Sequence, residues 1–427
     1  MKILVIGGGG REHAIIRKLK ESPLCGEIWC APGNGGIACD AICKDIKATD
    51  LDAMVAFAAE EKFDYAVVAQ DDPLALGMVD RLAEIGIPSF GPNAAAARIE
   101  ASKVFSKDLM KKYGIPTADY AVFDQPAEAL AYITGKNEYP VVIKADGLAL
   151  GKGVLICEDE AAARDGLKEI MEDKKFGASG NRVVVEEFLT GPEVSVLSFV
   201  DGKVVKPMVS SMDHKRALDG DKGLNTGGMG TIAPNPYYTP AVAEECMKTI
   251  FLPTIEAMQQ EGCPFKGCLY FGLMLTPKGP KVIEYNCRFG DPETQVVLPL
   301  LESDLLKIMM ATTDGTLADT EVKFADGAAA CVILASGGYP ESYAKGKEIT
   351  GLENGQIPGA DAVIYHAGSA LKDGKLVTSG GRVLGVTAKG ADLPEALKKA
   401  YAACEQVTFE NAHKRSDIGQ RALKALQ

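Results

Sequence analysis

The first ninety residues alternate between strand-like and helix-like spacing of apolar positions. Apolar runs of about five residues stand at period 2, and they are separated by segments with helical spacing. The predicted elements are, in chain order, 2–6, 11–20, 27–31, 51–61, 65–69 and 74–85. Strands that alternate with helices in this way predict a doubly wound parallel sheet. The turn at 91–93 is the predicted end of this unit.

The middle of the chain is richer in strands. Residues 94–113 have a helical pattern that Gly114, Ile115 and Pro116 end. Beyond them, the predicted strands are 141–144, 153–157, 182–186, 193–200, 269–275 and 281–285, and the predicted helices are 240–260 and 293–312. Asp201-Gly202 is typical of a hairpin turn. The glycine-dense stretch 220–230 is longer than a simple turn and predicts a functional or mobile loop.

From about Phe324 the pattern becomes antiparallel β with added helices. The predicted strands are 329–334, 362–366, 375–378 and 382–388, and the predicted helix is 393–406. Few reactive groups cluster there, so the region is interpreted mainly as packing. The expected fold class is α/β and multidomain, with an N-terminal doubly wound parallel sheet (1–101), a central α+β region (102–323) and a C-terminal mixed β/α domain (324–427).

Composition excludes several classes of partner. The chain has 427 residues and a net charge of −12, which argues against nucleic acid and against an acidic membrane surface. The apolar run at 328–335 is far too short for a membrane span, and no signal peptide is visible. Eleven cysteines without a C-x-x-C pair predict reduced thiols in the cytoplasm, and four histidines away from cysteine pairs argue against zinc.

Residues 282–295 carry the most informative group of polar side chains. Glu284 and Asn286 stand two apart on a predicted strand, so that both side chains point to one face. A carboxylate and an amide oxygen suit a magnesium ion that also binds substrate phosphates. Arg288 follows on the same face if the strand continues, where it fits a phosphate or carboxylate. The alternative is a charged strand end in solvent, and this stretch alone leaves the two equally supported.

The first glycine-rich turn lies between a strand and a helix, a geometry that presents backbone N–H groups to an anion. A dinucleotide fingerprint would need a third glycine where Glu12 stands. With Arg11 and His13 beside it, a sugar phosphate fits the turn better than a dinucleotide. The alternative is a tight turn in which glycine is needed only for its backbone conformation.

Residues 143–153 form a strand–loop–strand unit with three glycines and two lysines, Lys144 and Lys152. A flexible hairpin of this kind fits a lid over a triphosphate, although it is not a Walker loop. The alternative is a solvated hairpin tip. Lys144 speaks against that alternative, since it ends an apolar strand.

Two further segments have weaker patterns. The strand break at 188–192 leaves backbone groups that can bind the edge of adenine, with Glu193 within reach of a ribose, yet a plain loop is favoured when the segment is taken alone. Lys215 and Arg216 can stabilise charge on a transferring phosphoryl group, or form a solvated basic turn. Cys287 is interpreted as a buried, inert thiol.

With these motifs in this order, the whole chain resembles the phosphoribosylamine–glycine ligases, a family of ATP-grasp ligases. The most specific stretch is 288–295, Arg-Phe-Gly-Asp-Pro-Glu-Thr-Gln. Supporting stretches are 9–14, 144–153, 213–216, 225–230, 335–340 and 378–383. The resemblance implies an ATP-grasp central region with a lid at about 120–190, and a pre-ATP-grasp N-terminal domain.

The resemblance also implies the reaction and its residues. ATP, glycine and 5-phosphoribosylamine would give glycinamide ribonucleotide, ADP and phosphate through a glycyl phosphate, in purine synthesis, with Mg²⁺ or Mn²⁺ as cofactor. The implied catalytic residues are Arg288, Lys215 and Lys144; the implied ATP-binding residues are Lys103, Lys144, Lys152, Glu186, Leu189 and Glu193; the implied metal ligands are Glu284 and Asn286; and the implied substrate-binding residues are Gly9, Gly10, Arg11, Glu12, His13, Asp213, Asp291 and Thr294. We expect a cytoplasmic enzyme with small-molecule substrates and no nucleic-acid or membrane partner, a monomer with a dimer as the alternative.

The sequence departs from this family pattern at two places. The strand before Glu284, at 272–275, offers no acidic metal ligand, and residues 69–72 replace a Gly-Pro-Glu motif, which leaves the role of that loop open. Three alternatives stay open beside the ligase. They are a sister ATP-grasp ligase with another carboxylate and amine, a nicotinamide oxidoreductase, and an inactive nucleotide-binding regulator.

Overall fold

A computed structural model describes residues 1–149 and 153–427 of the chain, and its first unit is a parallel α/β sheet. The elements are β1 Lys2–Gly7, α1 Gly10–Leu19, β2 Glu27–Pro32, β3 Ile42–Cys43, α2 Leu51–Glu61, β4 Tyr65–Val68, α3 Asp71–Ala75, α4 Met78–Glu84 and β5 Ser89–Phe90. All neighbouring strands pair in parallel, in the order β3-β2-β1-β4-β5. The predicted parallel sheet is therefore confirmed, and its glycine turn lies at the carboxyl end of β1.

A small antiparallel sheet follows two connecting helices. The elements are α5 Ala94–Ala101, α6 Lys103–Tyr113, β6 Tyr120–Phe123, α7 Pro126–Lys136, β7 Val141–Ala145, β8 Val154–Cys157, α8 Glu160–Leu167 and β9 Val183–Glu187. The strand order is β6-β9-β7-β8. Ala129 of α7 and Leu167 of α8 are buried in one core with Ile143 of β7, so the helices cover one face of the sheet.

A second antiparallel sheet carries the stretch that is richest in predicted site residues. The next elements are β10 Glu193–Asp201, β11 Val205–Pro207, β12 Met212–Asp213, β13 Arg216–Leu218, β14 Lys222–Asn225, β15 Gly230–Ala233, α9 Pro240–Cys246, α10 Leu252–Gln260, β16 Lys266–Thr276, β17 Gly279–Asn286, α11 Thr294–Leu300 and α12 Leu305–Asp314. The sheet order is β11-β10-β16-β17. Asp201 and Val205 flank the predicted hairpin turn, which is confirmed. The stretch 220–230, predicted as one loop, instead contains strand β14 paired with β13.

The last unit is the predicted antiparallel region. Its elements are β18 Ala328–Ala335, β19 Val363–His366, β20 Ser369–Lys372, β21 Lys375–Thr378, β22 Arg382–Gly390, α13 Leu393–Cys404 and α14 Gln420–Ala425. The main sheet has the order β12-β15-β18-β22-β19. Two strands from the middle of the chain thus extend the C-terminal sheet, which ties the glycine-dense stretch to the end of the chain.

Three helices predicted as continuous are each divided in two, which corrects the predictions for 94–113, 74–85 and 293–312. Ser102 is extended, and its hydroxyl accepts a hydrogen bond from Phe105 N at 3.1 Å, which starts α6 anew. Gly77 has a φ of 90°, which ends the preceding turn. Asp304 caps α12 through Leu306 N. Local capping therefore overrides the continuous hydrophobic spacing.

Within the part of the chain that the structure describes, no helix is long and apolar enough to cross a membrane.

Candidate functional site

A cavity of about 650 Å³ lies between the two antiparallel sheets of the middle region, with walls from both other units. Most of the predicted site residues line it, although they are spread over 280 positions of sequence. They are Arg11, Lys103, Lys144, Glu186, Leu189, Glu193, Asp213, Lys215, Glu284, Asn286, Arg288 and Asp291. The fold therefore brings the separate sequence motifs to one place.

The remaining predicted residues lie elsewhere. Gly9 lines a second, adjoining cavity of about 600 Å³, which shares Arg11 and Asp291 with the first. Four predicted residues are absent from the described linings of both cavities: Gly10, Glu12, His13 and Thr294. The predicted Lys152 lies outside the described residues.

Glu284 and Asn286 stand at the end of β17 on the cavity wall. Asn286 Nδ2 donates to Tyr285 O at 2.6 Å, which leaves its amide oxygen for the cavity. Burial alone would raise the pKa of the Glu284 carboxyl, but Lys215, Lys144 and Lys103 together lower the pKa to about 2. Glu284 is therefore ionised at neutral pH, and the pair offers the hard oxygen donors that a magnesium ion requires.

No group of three or more His, Cys, Asp or Glu side chains arranged for a metal occurs among the described residues. The neighbouring strand, β16, places Gly272 opposite Glu284, as the sequence pattern indicated. The two protein oxygens therefore fit a metal whose other ligands are phosphate and water, which is the usual arrangement for magnesium bound with a nucleotide.

Among the described residues, the lysines that stand beside the acidic groups of the cavity are Lys103, Lys107, Lys144 and Lys215. Lys215 Nζ lies 3.4 Å from Glu284 Oε1, and the charge of Glu284 raises the pKa of Lys215 well above its usual value. Lys144 Nζ pairs with Glu186 Oε1 at 3.0 Å and donates to Ile283 O. Lys103 Nζ donates to Gly147 O at 2.8 Å, at the base of the glycine-rich hairpin. This arrangement gives a region of positive charge that fits a polyphosphate.

The strand that carries Glu284 ends at Asn286, so the condition for placing Arg288 on the same strand face is not met. The chain turns because Cys287 N donates to Glu100 Oε2 at 2.7 Å. Arg288 Nη2 pairs with the other oxygen of Glu100 at 3.0 Å, and its Nε is buried without a partner in the described part of the chain. Arg288 nevertheless lines the cavity, which leaves that unsatisfied N–H for a bound anion.

Asp213 and Glu293 are two carboxyls in the cavity wall, of which Glu293 is buried and Asp213 is half-buried. Burial raises the pKa of both carboxyls, and the charge of Glu293 raises the pKa of Asp213 further. Tyr270 OH donates to Glu293 Oε1 at 3.1 Å, while His214 N donates to Asp213 Oδ1 at 2.7 Å. Such a pair can hold an amine or accept its proton.

The glycine turn does not expose all of its backbone N–H groups, because charged side chains bind some of them. Glu12 Oε2 accepts from Gly9 N at 2.6 Å, and its other oxygen pairs with Arg11 Nε at 2.8 Å. Arg11 N donates to Asp291 Oδ2 at 3.3 Å, so the turn and the 288–295 stretch meet directly. The Thr294 hydroxyl donates a hydrogen bond to Gly290 O, so it also has a partner within the protein.

His13 joins the N-terminal unit to the C-terminal one. His366 N donates to His13 Nδ1 at 2.8 Å, so the neutral ring carries its proton on Nε2, which donates to Asp40 Oδ2 at 2.9 Å. Burial lowers the pKa of His13, which favours this neutral form. Both ring nitrogens therefore have partners within the protein.

Among the described lining residues, several charged ones were not predicted as site residues, including Glu100, Lys107, Glu293 and Arg382. Arg382 Nη1 donates to Asp291 O at 2.8 Å and to Gly227 O at 2.7 Å, so it links the C-terminal unit to the site. The run of glycines before Arg382 in the sequence could have identified Arg382 as a site residue. Glu100 and Lys107 stand on ordinary helical patterns, so nothing in their spacing distinguishes them.

Comparison with known proteins places these features in one family. Three family models match consecutive parts of the chain: the phosphoribosylglycinamide synthetase N domain at residues 1–100, its ATP-grasp (A) domain at 101–294 and its C domain at 329–421. Biotin carboxylases share the fold at lower similarity, for example one from Campylobacter jejuni with a TM-score of 0.75 at 14% identity, covering 97% of this chain and 92% of that one.

Individual relatives agree with the family models. A phosphoribosylamine–glycine ligase of Caldanaerobacter subterraneus subsp. tengcongensis is 48% identical over 98% of this chain and 99% of its own length. One from Caulobacter vibrioides is 47% identical over 99% of both chains. The crystal structure of a phosphoribosylamine–glycine ligase from Thermotoga maritima has a TM-score of 0.85 at 35% identity and covers 98% of this chain and 100% of its own. The chain therefore belongs to the phosphoribosylglycinamide synthetase family.

Proposed function

We propose that this chain joins glycine to 5-phosphoribosylamine at the expense of ATP, giving glycinamide ribonucleotide, ADP and phosphate in purine synthesis. The observation that carries the proposal is the cavity in which Glu284, Asn286, Lys215 and Arg288 come together from separate motifs. Family membership supports the same reaction, because the relatives named for it match nearly the full length of the chain.

ATP would occupy the part of the cavity beneath the glycine-rich hairpin. Lys103 and Lys144 would contact the phosphates, and the backbone of Glu186 and Leu189 would contact adenine, with Glu193 at the ribose. The side chain of Glu186 is already paired with two lysines, which supports a backbone role for this residue. Lys152 would complete the lid.

Glu284 and Asn286 would hold a magnesium ion, with manganese as the alternative metal. Their two oxygens supply part of a coordination sphere that phosphate oxygens and water would complete. When bound, the metal neutralises charge on the phosphates.

The second substrate would bind where the glycine turn meets the 288–295 stretch. Gly9, Gly10 and Arg11 would receive the phosphoribosyl end, because they stand at the start of α1, where the helix dipole favours an anion. Glu12 and His13 would shape that turn through their internal contacts. Asp213, Asp291 and Thr294 are predicted to lie beside the substrate.

The chemistry would run in two steps. A carboxylate oxygen of glycine attacks the γ-phosphorus of ATP, so that ADP leaves and glycyl phosphate forms. The amine of phosphoribosylamine then attacks the glycyl carbonyl carbon, phosphate leaves, and the amine nitrogen loses a proton. No protein nucleophile is required, since Lys215, Lys144 and Arg288 would act by placing positive charge around the transferred phosphoryl group.

We also propose a division into units 1–101, 102–323 and 324–427, with a lid at about 120–190, in a monomer that acts in the cytoplasm. The N-terminal sheet and the two antiparallel sheets of the middle region each lie within one unit, which supports the division, while β12 and β15 of the middle unit join the C-terminal sheet. All eleven cysteines are free thiols, which supports a reducing compartment.

The test is a coupled assay for ADP release in which glycine, phosphoribosylamine and the metal are each omitted in turn. We expect ADP release with all components present and its loss when glycine is omitted. Release that is indifferent to glycine and phosphoribosylamine would rule out this reaction. Activity with another carboxylate and amine would instead identify a sister ATP-grasp ligase.

A further inference from the structure

The C-terminal segment 413–419, here called the anchor, is bound to the β13–β14 hairpin at residues 216–225 by several hydrogen bonds. His413 Nε2 donates to Ala217 O at 2.7 Å. Ser416 N donates to Asp219 Oδ1 at 2.8 Å, and the Ser416 hydroxyl bonds the other oxygen of Asp219. The hairpin and the anchor are separated by about two hundred residues, so only the tertiary fold brings them together.

Arg415 is the centre of this contact. Its side chain is 1% exposed, which is unusual for a charged group that large. Nε and Nη2 donate to the two oxygens of Asp417 at 2.7 and 2.8 Å, while Nη1 donates to Asp221 Oδ1 at 3.0 Å and to Arg216 O at 3.1 Å. Asp417 also accepts from Gly220 N at 2.9 Å, so the guanidinium and its partner hold the start of the hairpin and its turn.

The hairpin begins directly after Lys215. Thr226, at the end of the hairpin, fixes the carbonyl of Lys215 with both its N–H and its hydroxyl, each at 2.8 Å. The next carbonyl, that of Arg216, is held by Arg415. The backbone that follows the Lys215 side chain is therefore fixed by Thr226 and Arg415, while Lys215 Nζ lies 3.4 Å from Glu284 Oε1.

We propose that Arg415 is a positioning residue, and that the anchor holds the hairpin so that Lys215 faces the phosphate site beside Glu284. The inference rests on the role proposed above for Lys215. A long lysine side chain contributes to phosphoryl transfer only when its ammonium group is held near the transferred group, and small misplacements are costly. Arg415 itself is buried away from the reacting atoms and acts through the backbone of the hairpin.

The test compares Arg415→Lys and Asp219→Ala with Lys414→Ala. Arg415→Lys keeps a buried charge but loses the two-pronged contact with Asp417. Asp219→Ala removes the second attachment at an exposed position outside the described cavity lining, so it remains informative if the first variant folds poorly. Lys414 pairs with Glu405 at 2.9 Å rather than with the hairpin, so its variant is the matched control.

We expect hydrogen exchange of amides 216–225 to rise about tenfold in both test variants, because local opening becomes easier. We expect kcat for ADP release to fall about tenfold with the KM for ATP changed less than about threefold, since neither variant replaces a residue proposed to contact adenine or ribose. Lys414→Ala should match wild type in both measurements. The proposal is overturned by faster exchange with kcat within about twofold of wild type, or by a fall in kcat without faster exchange. Absence of glycine-dependent ADP release in the wild type would instead disprove the proposed function, so the two failures are distinguishable.

Discussion

The buried triad of Glu186, Lys107 and Lys144 permits a quantitative prediction. Both lysines lie 3.0 Å from the carboxylate, and the exposed fractions of the Glu186, Lys107 and Lys144 side chains are 4%, 3% and 6%. Glu186→Gln keeps the shape of the side chain and removes its charge. The variant therefore leaves two ammonium groups in the protein interior without a counter-ion.

At neutral pH Lys107 can lose its proton, and this limits the free-energy cost of the substitution. Burial lowers the pKa of Lys107 from 10.5 to about 8 even with Glu186 present. One pKa unit corresponds to about 1.4 kcal/mol, so loss of the proton at pH 7 limits the share of Lys107 to about that amount. Lys144 adds a further cost, because removing one partner of a buried ion pair usually costs about 3–5 kcal/mol. We expect Glu186→Gln to lower the free energy of unfolding by about 4–6 kcal/mol at pH 7.

The same reasoning gives the sign of the pH dependence. The folded-state pKa of Lys107 is depressed, so the unfolded state binds more protons and the wild type gains stability as pH rises from about 8 towards 10.5. In the Glu186→Gln variant, stability begins to rise at a lower pH than in the wild type. The destabilisation by Glu186→Gln should therefore shrink by about 1 kcal/mol between pH 7 and pH 9.

Urea unfolding followed by circular dichroism at both pH values measures these differences. The matched control is Glu160→Gln, which breaks an exposed pair with Arg164 at 2.8 Å and should cost less than about 0.5 kcal/mol. A loss below about 1 kcal/mol for Glu186→Gln at pH 7, or a larger loss at pH 9, would refute the reasoning.

Three further predictions concern the site and the junction of the units. Glu284→Ala should abolish ADP release while the circular dichroism spectrum stays native, because it removes a charged metal ligand from the cavity wall. Glu100→Gln should lower kcat about tenfold with little change in the KM for ATP, since it frees Arg288 from its ion pair. Burial lowers the pKa of His366 from 6.5 to about 4, so this group should cost about 2 kcal/mol of stability as pH falls from 7 to 5, and His366→Gln should remove that part of the loss in urea unfolding.

Each of these predictions has an outcome that contradicts it. Near-normal turnover of Glu284→Ala would refute the metal assignment. Glu100→Gln with kcat within about twofold of wild type would show that the ion pair does not set the position of Arg288. An equal loss of stability at pH 5 in wild type and His366→Gln would assign the acid sensitivity to other groups, with His13 and His214 as the next candidates.

Several features of the fold follow from short-range pattern. The parallel order of the N-terminal sheet follows from alternating strand and helix spacing, and the hairpin at Asp201 follows from its Asp-Gly turn. Division of the predicted helices at Gly77, Ser102 and Asp304 was missed, because apolar spacing continues across each break while capping groups end the helix.

The candidate site likewise has a part that the sequence predicts and a part that it does not. Glu284 and Asn286 share a face because strand geometry requires it, and the sequence alone was sufficient for that inference. Arg288 left the strand because Glu100, from a helix nearly two hundred residues earlier, binds Cys287 N and the guanidinium. No local sequence pattern predicts that contact.

The sequence by itself determined the order of most elements, the family and most of the site residues that carry a recognisable motif, because periodicity and motif spacing are local properties. The tertiary structure decided which charges face one another. The pairing of Glu186 with two lysines, the proton position on His13 and the attachment of the hairpin by Arg415 all join distant segments. Burial and distance control electrostatic energies, and both are fixed only when the chain is folded.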